Sequence, residues 1–440
     1  MTQRPVIPLR VTKGKPSAEA LAALDRRWRA RYLLLAPHRL GFFLAMVVLV
    51  ISGAWWALVQ LDRVSAAVTL PYALSPTLVH AAVMTFGFIP LFFSGFLFTA
   101  GPKWLGVQAP EASQLRAPLL LQTAGWLLWV SGAHVHLLLA LGGLVLAWSG
   151  LTYMTWLFWR LIRASTVEDR LHARTIGVAC LIGCVSLAGV ALSLWLDASA
   201  TALACVLTGL WGFVVVVYVS VAHRMLPFFT SSAMPFITAW RPFWALGLML
   251  ATAGLEVLAV WVDRAGPLPG ALAGAWLLAR GVLELLSGGV LLWLAVVWGL
   301  MQSLKNRLLA MLHIGFLWLG LAMVLGGAAQ LLSWLQGAPV LFLGALHALT
   351  MGCLASLMLA MVTRVSCGHS GRPLVADNTV WVLFWMLQIA TLLRITAAAQ
   401  GLLAGGLLLT AALLWTTIMA VWGVRLAGWY GRLRADGRAG

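Results

Sequence analysis

Charged residues are scarce in this chain of 440 residues, where Asp, Glu, Lys and Arg together make up 9% of the total. Soluble domains contain about 25% charged residues. Hydrophobic residues make up 62% of the chain, which is more apolar surface than a water-soluble fold of this size can bury. The composition therefore predicts an integral membrane protein and excludes a soluble globular one.

Acidic residues are especially rare, with 12 Asp and Glu against 29 Lys and Arg, and the formal net charge is +17. On a soluble protein such a charge would suggest a nucleic-acid partner. Here the basic residues lie mostly in short connections between apolar runs, a pattern that reports membrane topology and contact with anionic lipid. We therefore expect the lipid bilayer to be the partner, and no nucleic acid.

Cysteine and the common catalytic motifs are also sparse. There are five cysteines, an odd number, and four of them fall inside apolar runs, which argues against a disulfide framework. The absence of C-x-x-C-H gives no support for covalent c-type haem. The chain has no P-loop, no dinucleotide-binding glycine motif, no H-E-x-x-H and no nucleophile elbow. Nothing in it predicts a soluble catalytic domain.

The apolar runs predict an all-α, polytopic membrane bundle of about twelve transmembrane helices, because roughly 20 apolar residues suffice to cross a bilayer. The predicted spans are 39–60, 76–99, 117–133, 137–160, 172–196, 200–222, 242–262, 272–301, 309–333, 340–363, 378–397 and 402–426. A basic segment, 1–38, precedes this membrane domain of 39–426, and a short basic tail, 427–440, follows it. Within the first segment, residues 17–35 have the pattern of a basic amphipathic helix at the membrane surface.

The distribution of Lys and Arg predicts the orientation of the bundle. With twelve spans, one side of the membrane receives four of the 29 basic residues and the other side receives 25. The four are Arg63, Arg264, Arg280 and Arg394. Because basic residues accumulate on the cytoplasmic side, this asymmetry predicts that both termini are cytoplasmic and that the number of spans is even.

Two histidines occupy matching positions in the second and tenth predicted helices. The chain reads H-A-A-V-M at 80–84 and H-A-L-T-M at 347–351, and the orientation puts His80 and His347 in the outer third of the membrane. One imidazole from each of two helices at one depth is the arrangement that clamps a haem iron axially. Met84 and Met351, four residues later, would lie on the same helix faces. The alternative is a pair of packing histidines that line a polar pocket.

Four further ionisable residues fall in the outer half of the predicted membrane domain: Glu256, Arg280, Glu284 and Arg394. Charges inside a bilayer are costly and are therefore candidates for function. Arg280 and Glu284 are one helical turn apart and could form a structural ion pair. Alternatively, Arg394 or Arg280 could neutralise haem propionates. In a different hypothesis, all four form the polar site of a small-molecule transporter or permease.

A second metal site is conceivable at the inner face. His313 and His369, together with His223 and Cys367, lie near the cytoplasmic ends of predicted helices. Imidazole and thiolate ligands suit copper, so His313 and His369 are candidate copper ligands. The alternative is a set of interfacial loop residues, because the spacing along the chain does not bring these side chains together by itself.

Four stretches of the chain resemble the NnrS family of membrane proteins: 80–104, 224–230, 312–319 and 347–373. The most specific part is H-A-L-T at 347–350 followed by G-H-S-G-R-P at 368–373. The chain departs from the family pattern at 80–84, where H-A-H-E-M is common, and at His223, where Gly is common. The resemblance covers nearly the whole chain. It implies a twelve-helix protein of the bacterial inner membrane that contains haem and copper and contributes to nitric oxide tolerance in denitrifying and related bacteria.

The helix numbering also resembles subunit I of haem–copper oxidases and nitric oxide reductases, in which histidines of helices 2 and 10 hold a low-spin haem. His80 and His347 match these ligands by position. The binuclear centre has no counterpart, so oxidase or reductase turnover is not supported and enzymatic activity stays open. The sequence thus favours a haem b protein of the nitric oxide response, whose iron binds nitric oxide or takes electrons from a respiratory donor. The alternatives are a permease and an assembly partner of respiratory complexes.

Overall fold

The computed structural model of the protein describes residues 27–437 except 66, 235, 400 and 402, and this part of the chain is a bundle of twelve long helices without strands. The helices are α1 (Pro37–Val64), α2 (Pro76–Leu105), α3 (Ala112–Val135), α4 (Leu137–Ala164), α5 (Leu171–Trp195), α6 (Ser199–Ala233), α7 (Phe243–Ala265), α8 (Ala271–Val297), α9 (Arg307–Gln336), α10 (Leu343–His369), α11 (Asn378–Ala399) and α12 (Ala404–Tyr430). The predicted all-α membrane fold is confirmed.

Eleven of these helices are long and apolar enough to cross a membrane; α3 is the exception among the described helices. It has 24 residues but includes Gln122, Thr123 and Ser131, which lower its hydropathy. It packs along α4 at very short range. A Cβ atom at Gly125 would lie 2.5 Å from the backbone nitrogen of Ala147, so the two helix backbones touch through glycine. Such close packing of small residues is typical of helix pairs in membranes.

The two ends of the described chain lie together at one end of the bundle. The amide of Arg29 donates to the carbonyl of Gly431 at 2.8 Å, and the indole of Trp28 donates to that of Ala427 at 3.1 Å. Arg39, which is buried, donates to the carbonyls of Tyr430 and Arg432 at 3.2 and 2.7 Å. Termini at the same end require an even number of crossings, as the charge distribution predicts.

Several helices depart from the predicted boundaries. Near the predicted inner face, α6 continues to Ala233 and α10 continues to His369, where interfacial loops were one interpretation. Of the predicted surface helix at 17–35, residues 17–26 lie outside the described residues, and Ala30–Leu35 forms a 3-10 helix. Two helices contain a π-helical stretch: Leu210–Val215 in α6 and Ala348–Ala355 in α10, directly after His347. Such stretches are frequent at functional sites.

The close contact between α3 and α4 predicts an asymmetric response to two alanine substitutions. Gly125→Ala is expected to destabilise the protein by about 1–3 kcal/mol, because the methyl group would overlap the backbone of α4. Gly142→Ala is the matched control, since its Cβ would meet nothing within 4 Å, and it should be neutral or stabilising by up to about 1 kcal/mol. Thermal unfolding in detergent measures both, and equal midpoints for the two variants would contradict this packing.

Candidate functional site

His80 lies on the first turns of α2 and stacks on an aromatic side chain of α1. Its ring and that of Trp56 have centroids 3.8 Å apart and an interplanar angle of 15°. The Nδ1 atom of His80 is buried and has no hydrogen-bond partner among the described residues. Nearby, the indole of Trp129 in α3 donates to the carbonyl of Val79 at 3.3 Å. The ring is therefore held by packing on a fixed helix while its nitrogens stay uncommitted.

His347 lies at the corresponding position of α10, where the α-helix gives way to the π-helical stretch. Its Nδ1 atom is 2.8 Å from the carbonyl oxygen of Leu343, one turn earlier. Because that oxygen can only accept, Nδ1 carries the proton and Nε2 keeps its lone pair. A histidine that donates one ring N–H to a backbone carbonyl and presents the other nitrogen is in the form that binds metals.

The two histidines belong to one electrostatic neighbourhood. His80 interacts with His347, Arg394 and Arg63, and His347 also interacts with Arg394. These four side chains therefore share one neighbourhood with Trp56. The Trp56 ring stacks on His80 and has the guanidinium of Arg63 over its face at 5.2 Å. The two histidines that the sequence predicted as a pair thus lie within electrostatic range of each other, and their ligation of one iron stays a prediction.

Partial exposure marks the faces of α2 and α10 that carry these histidines. His80 and Met84 are half-buried although the neighbouring Ala82 and Val83 are fully buried. The same holds in α10, where His347 and Met351 are half-buried and Ala348 and Leu349 are fully buried. The histidine and the methionine of each motif therefore share a half-buried face of their helix.

Arg394 has no hydrogen bond or ion pair within the described part of the chain, although it lies on α11 in a half-buried position. Arg280 behaves differently. Its guanidinium contacts Glu284 at 2.6 Å, Glu256 at 2.7 Å and Asp263 at 3.3 Å, and it is not among the charges that act on His80 or His347. Of the two arginines predicted as propionate partners, the structure associates Arg394 with the histidines.

The buried cluster of Arg280, Glu256 and Glu284 joins α7 to α8, with Asp263 at its exposed edge. The predicted ion pair between Arg280 and Glu284 is present, and Glu256 shares the same guanidinium. Arg394 makes no contact with the cluster. The four residues that the permease hypothesis placed in one polar site are therefore divided between two places.

The predicted copper ligands do not come together in the described part of the chain. The Nε2 atom of His313 lies 2.9 Å from the hydroxyl of Thr230, whereas the ring of His369 lies against that of His38 with centroids 4.5 Å apart. His223 pairs with His172 at 3.0 Å. Within the described ranges, no group of three or more His, Cys, Asp or Glu residues could hold a metal. These residues do not fit the copper site in the form that the sequence suggested.

Sequence reasoning missed several partners that the structure supplies. The stacking of Trp56 on His80 joins the consecutive helices α1 and α2, the pairing of His38 with His369 joins α1 to α10, and no local pattern signals either contact. Asp263 carried a usable signal, because it follows Glu256 by seven residues and therefore lies on the same face of a helix.

The three-carboxylate environment of Arg280 predicts a strong stability effect. Arg280→Ala would leave Glu256 and Glu284 buried without their counter-charge, and breaking a buried ion pair typically costs about 3–5 kcal/mol. Arg264→Ala serves as the control, since Arg264 is exposed and only donates to Thr201, and exposed substitutions usually stay within about 0.5 kcal/mol. Thermal unfolding of both variants measures the difference; a midpoint for Arg280→Ala close to the control would contradict the buried pairing.

Comparison with models of known protein families gives a match. A family model described as "NnrS protein" matches residues 32–434, which is nearly the whole chain. No curated protein matches the chain. The matched range contains all twelve helices, both histidines of the candidate site and the charge cluster.

Proposed function

This chain belongs to the NnrS family of membrane proteins, which is linked to the nitric oxide response, and we propose that it holds a haem b between α2 and α10 and acts in that response. The observation that carries the proposal is a pair of imidazoles, one in α2 and one in α10, each of which keeps a ring nitrogen without a hydrogen-bond partner among the described residues. Buried polar atoms normally find hydrogen-bond partners, so the unpartnered Nδ1 of His80 favours a site that binds a ligand. His347 supports the same interpretation, because its Nδ1 is bonded to a carbonyl and its Nε2 keeps a lone pair. Axial ligation by two histidines is a common mode of haem binding.

The protein's own residues would prepare the site in three ways. Stacking on Trp56 fixes the plane of the His80 ring, and the bond to the Leu343 carbonyl fixes the tautomer of His347. Both effects reduce the reorganisation that ligation requires. The half-buried Met84 and Met351 line the same helix faces one turn deeper and offer adaptable apolar contacts.

Positive charge in the same neighbourhood supports a ligand that carries carboxylates. Arg394 has no counter-ion among the described residues, and an unpaired guanidinium in a half-buried membrane position is costly. The propionates of haem would supply that counter-charge, and guanidinium binds carboxylates in a two-pronged geometry. Once bound, haem iron supplies reversible one-electron chemistry and an affinity for nitric oxide. The chain's part is to hold the iron ligands, balance the charge and exclude water.

Haem binding is tested by the visible spectrum of the purified protein. The intact protein should show a Soret band with the features of six-coordinate low-spin haem, and His80→Ala and His347→Ala should each lose the low-spin features or the haem itself. His136→Asn is the control, because His136 is exposed at the same predicted end and caps α4 through its side chain, a role that Asn can fill. An intact protein without a Soret band, or full low-spin spectra in both alanine variants, would refute the proposal.

The role of Arg394 is tested by the midpoint potential of the bound haem. Arg394→Gln removes a positive charge from the neighbourhood of His80 and His347, so the oxidised iron should be favoured and the potential should fall by tens of millivolts. Arg264→Gln, which changes an arginine that donates to Thr201, should leave the potential unchanged. Equal potentials in the two variants would remove Arg394 from the site.

A further inference from the structure

The charges of the buried cluster between α7 and α8 do not sum to zero. Glu256 and Glu284 are 5% and 1% exposed and share the single guanidinium of Arg280, so the buried members have a net charge of −1 if both carboxyls are ionised. Asp263 contacts the same guanidinium from a position that is about half exposed, and it adds no positive charge. An uncompensated negative charge inside a membrane protein is costly, and neutralisation by a proton is the usual remedy.

Unpartnered oxygen atoms indicate where that proton belongs. Glu256 binds Arg280 through Oε2, and its Oε1 is buried without a partner among the described residues. Glu284 binds Arg280 through Oε1, and its Oε2 is buried and equally unpartnered. Because both carboxyl groups bind the same guanidinium, they are held close to each other. Two carboxylates have no donor to offer each other, whereas one proton between them supplies the missing hydrogen bond.

The packing around Glu284 favours a proton over a larger cation. A Cβ atom at Gly326 of α9 would lie 2.5 Å from Oε2 of Glu284, so this oxygen rests directly on the glycine backbone. Sodium or a divalent ion would need several oxygen ligands around it, and no group of three or more potential ligands that could hold a metal occurs in the described ranges. A proton needs no such space.

We propose that Glu256 and Glu284 share one proton at neutral pH and form a buried proton-holding site near the predicted outer face. Arg280 positions both carboxyl groups, and Asp263 connects the cluster to water, because it contacts Arg280 and is exposed. The shared proton exchanges between the glutamate pair and water on the outer side of the membrane, and no electron is transferred. This site uses none of the residues of the proposed haem site, and the proposal does not rest on haem binding.

The other charged groups near the pair are few. On α7, Arg264 follows Asp263 and donates to Thr201 of α6. The titratable residues of α9 are Arg307 and His313, which lie near its first turns, far along the helix from Gly326. On α10, Ala345 approaches Gly326, and His347 follows two residues later. Arg280 is thus the counter-charge that the described residues place in contact with the two glutamates.

Infrared spectroscopy of the full-length protein in lipid nanodiscs tests the proposal. At pH 7 the intact protein should show a carbonyl band of a protonated, buried carboxyl group, and the band should shift to lower frequency in D₂O. Glu256→Gln and Glu284→Gln should each abolish the band, because Gln replaces the protonated member and leaves one carboxylate paired with Arg280. The matched control is Glu111→Gln, an exposed glutamate whose substitution should leave the band intact.

Three outcomes would overturn the proposal. The intact protein could lack the band at pH 7, a reading that does not depend on any variant folding. The band could persist in both Gln variants, which would assign it to another carboxyl group such as a haem propionate. Finally, sodium added at constant pH could remove the band, which would make the cluster a cation site. Loss of the band in both variants, with the Glu111→Gln spectrum unchanged, supports the shared proton whether or not haem is bound.

Discussion

The inability of the bilayer interior to solvate charge governs the arrangement of this protein. The consequence is visible at two places in the predicted outer half of the bundle. Arg280 is surrounded by three carboxylates, so its charge is satisfied by the protein itself. Around His80 and His347, by contrast, the Nδ1 of His80 and the guanidinium of Arg394 are left without partners among the described residues. The first region needs at most a proton to satisfy its charges, whereas the second leaves polar groups that a ligand would satisfy.

Hydropathy and charge, which are properties read along the chain, predicted the fold well. Helix number and an even count of crossings follow from them, and the contacts of Arg29 and Arg39 with the last turns of the chain agree. The prediction that His80 and His347 form a pair rests on depth, and depth follows from orientation once each helix has a direction. Their ligation of one iron stays a prediction.

Side-chain contacts could not be predicted from hydropathy and charge, because they depend on how each helix is rotated about its axis and on which helix it packs against. The spacing of His313 and His369 says how deep each residue lies, but it does not say which neighbour each one faces. In the structure these are Thr230 and His38. The inner ends of α6 and α10 were placed too early for a related reason. Polar residues such as Arg224 and Arg364 end an apolar run without ending a helix, because long basic side chains can reach the headgroups.

The close packing of α3 on α4 has a consequence for the assembly of the protein. A helix that contains Gln122, Thr123 and Ser131 gains little by entering lipid alone, and α3 is the described long helix that lacks the hydropathy to cross by itself. Only His136 connects α3 to α4, and glycine residues bring the two helices into contact along their length. The polar face of α3 can therefore pack against α4 as soon as both helices have formed. The pair is therefore expected to insert as one hairpin, so that residues of α4 such as Gly143 help to determine whether α3 reaches the membrane.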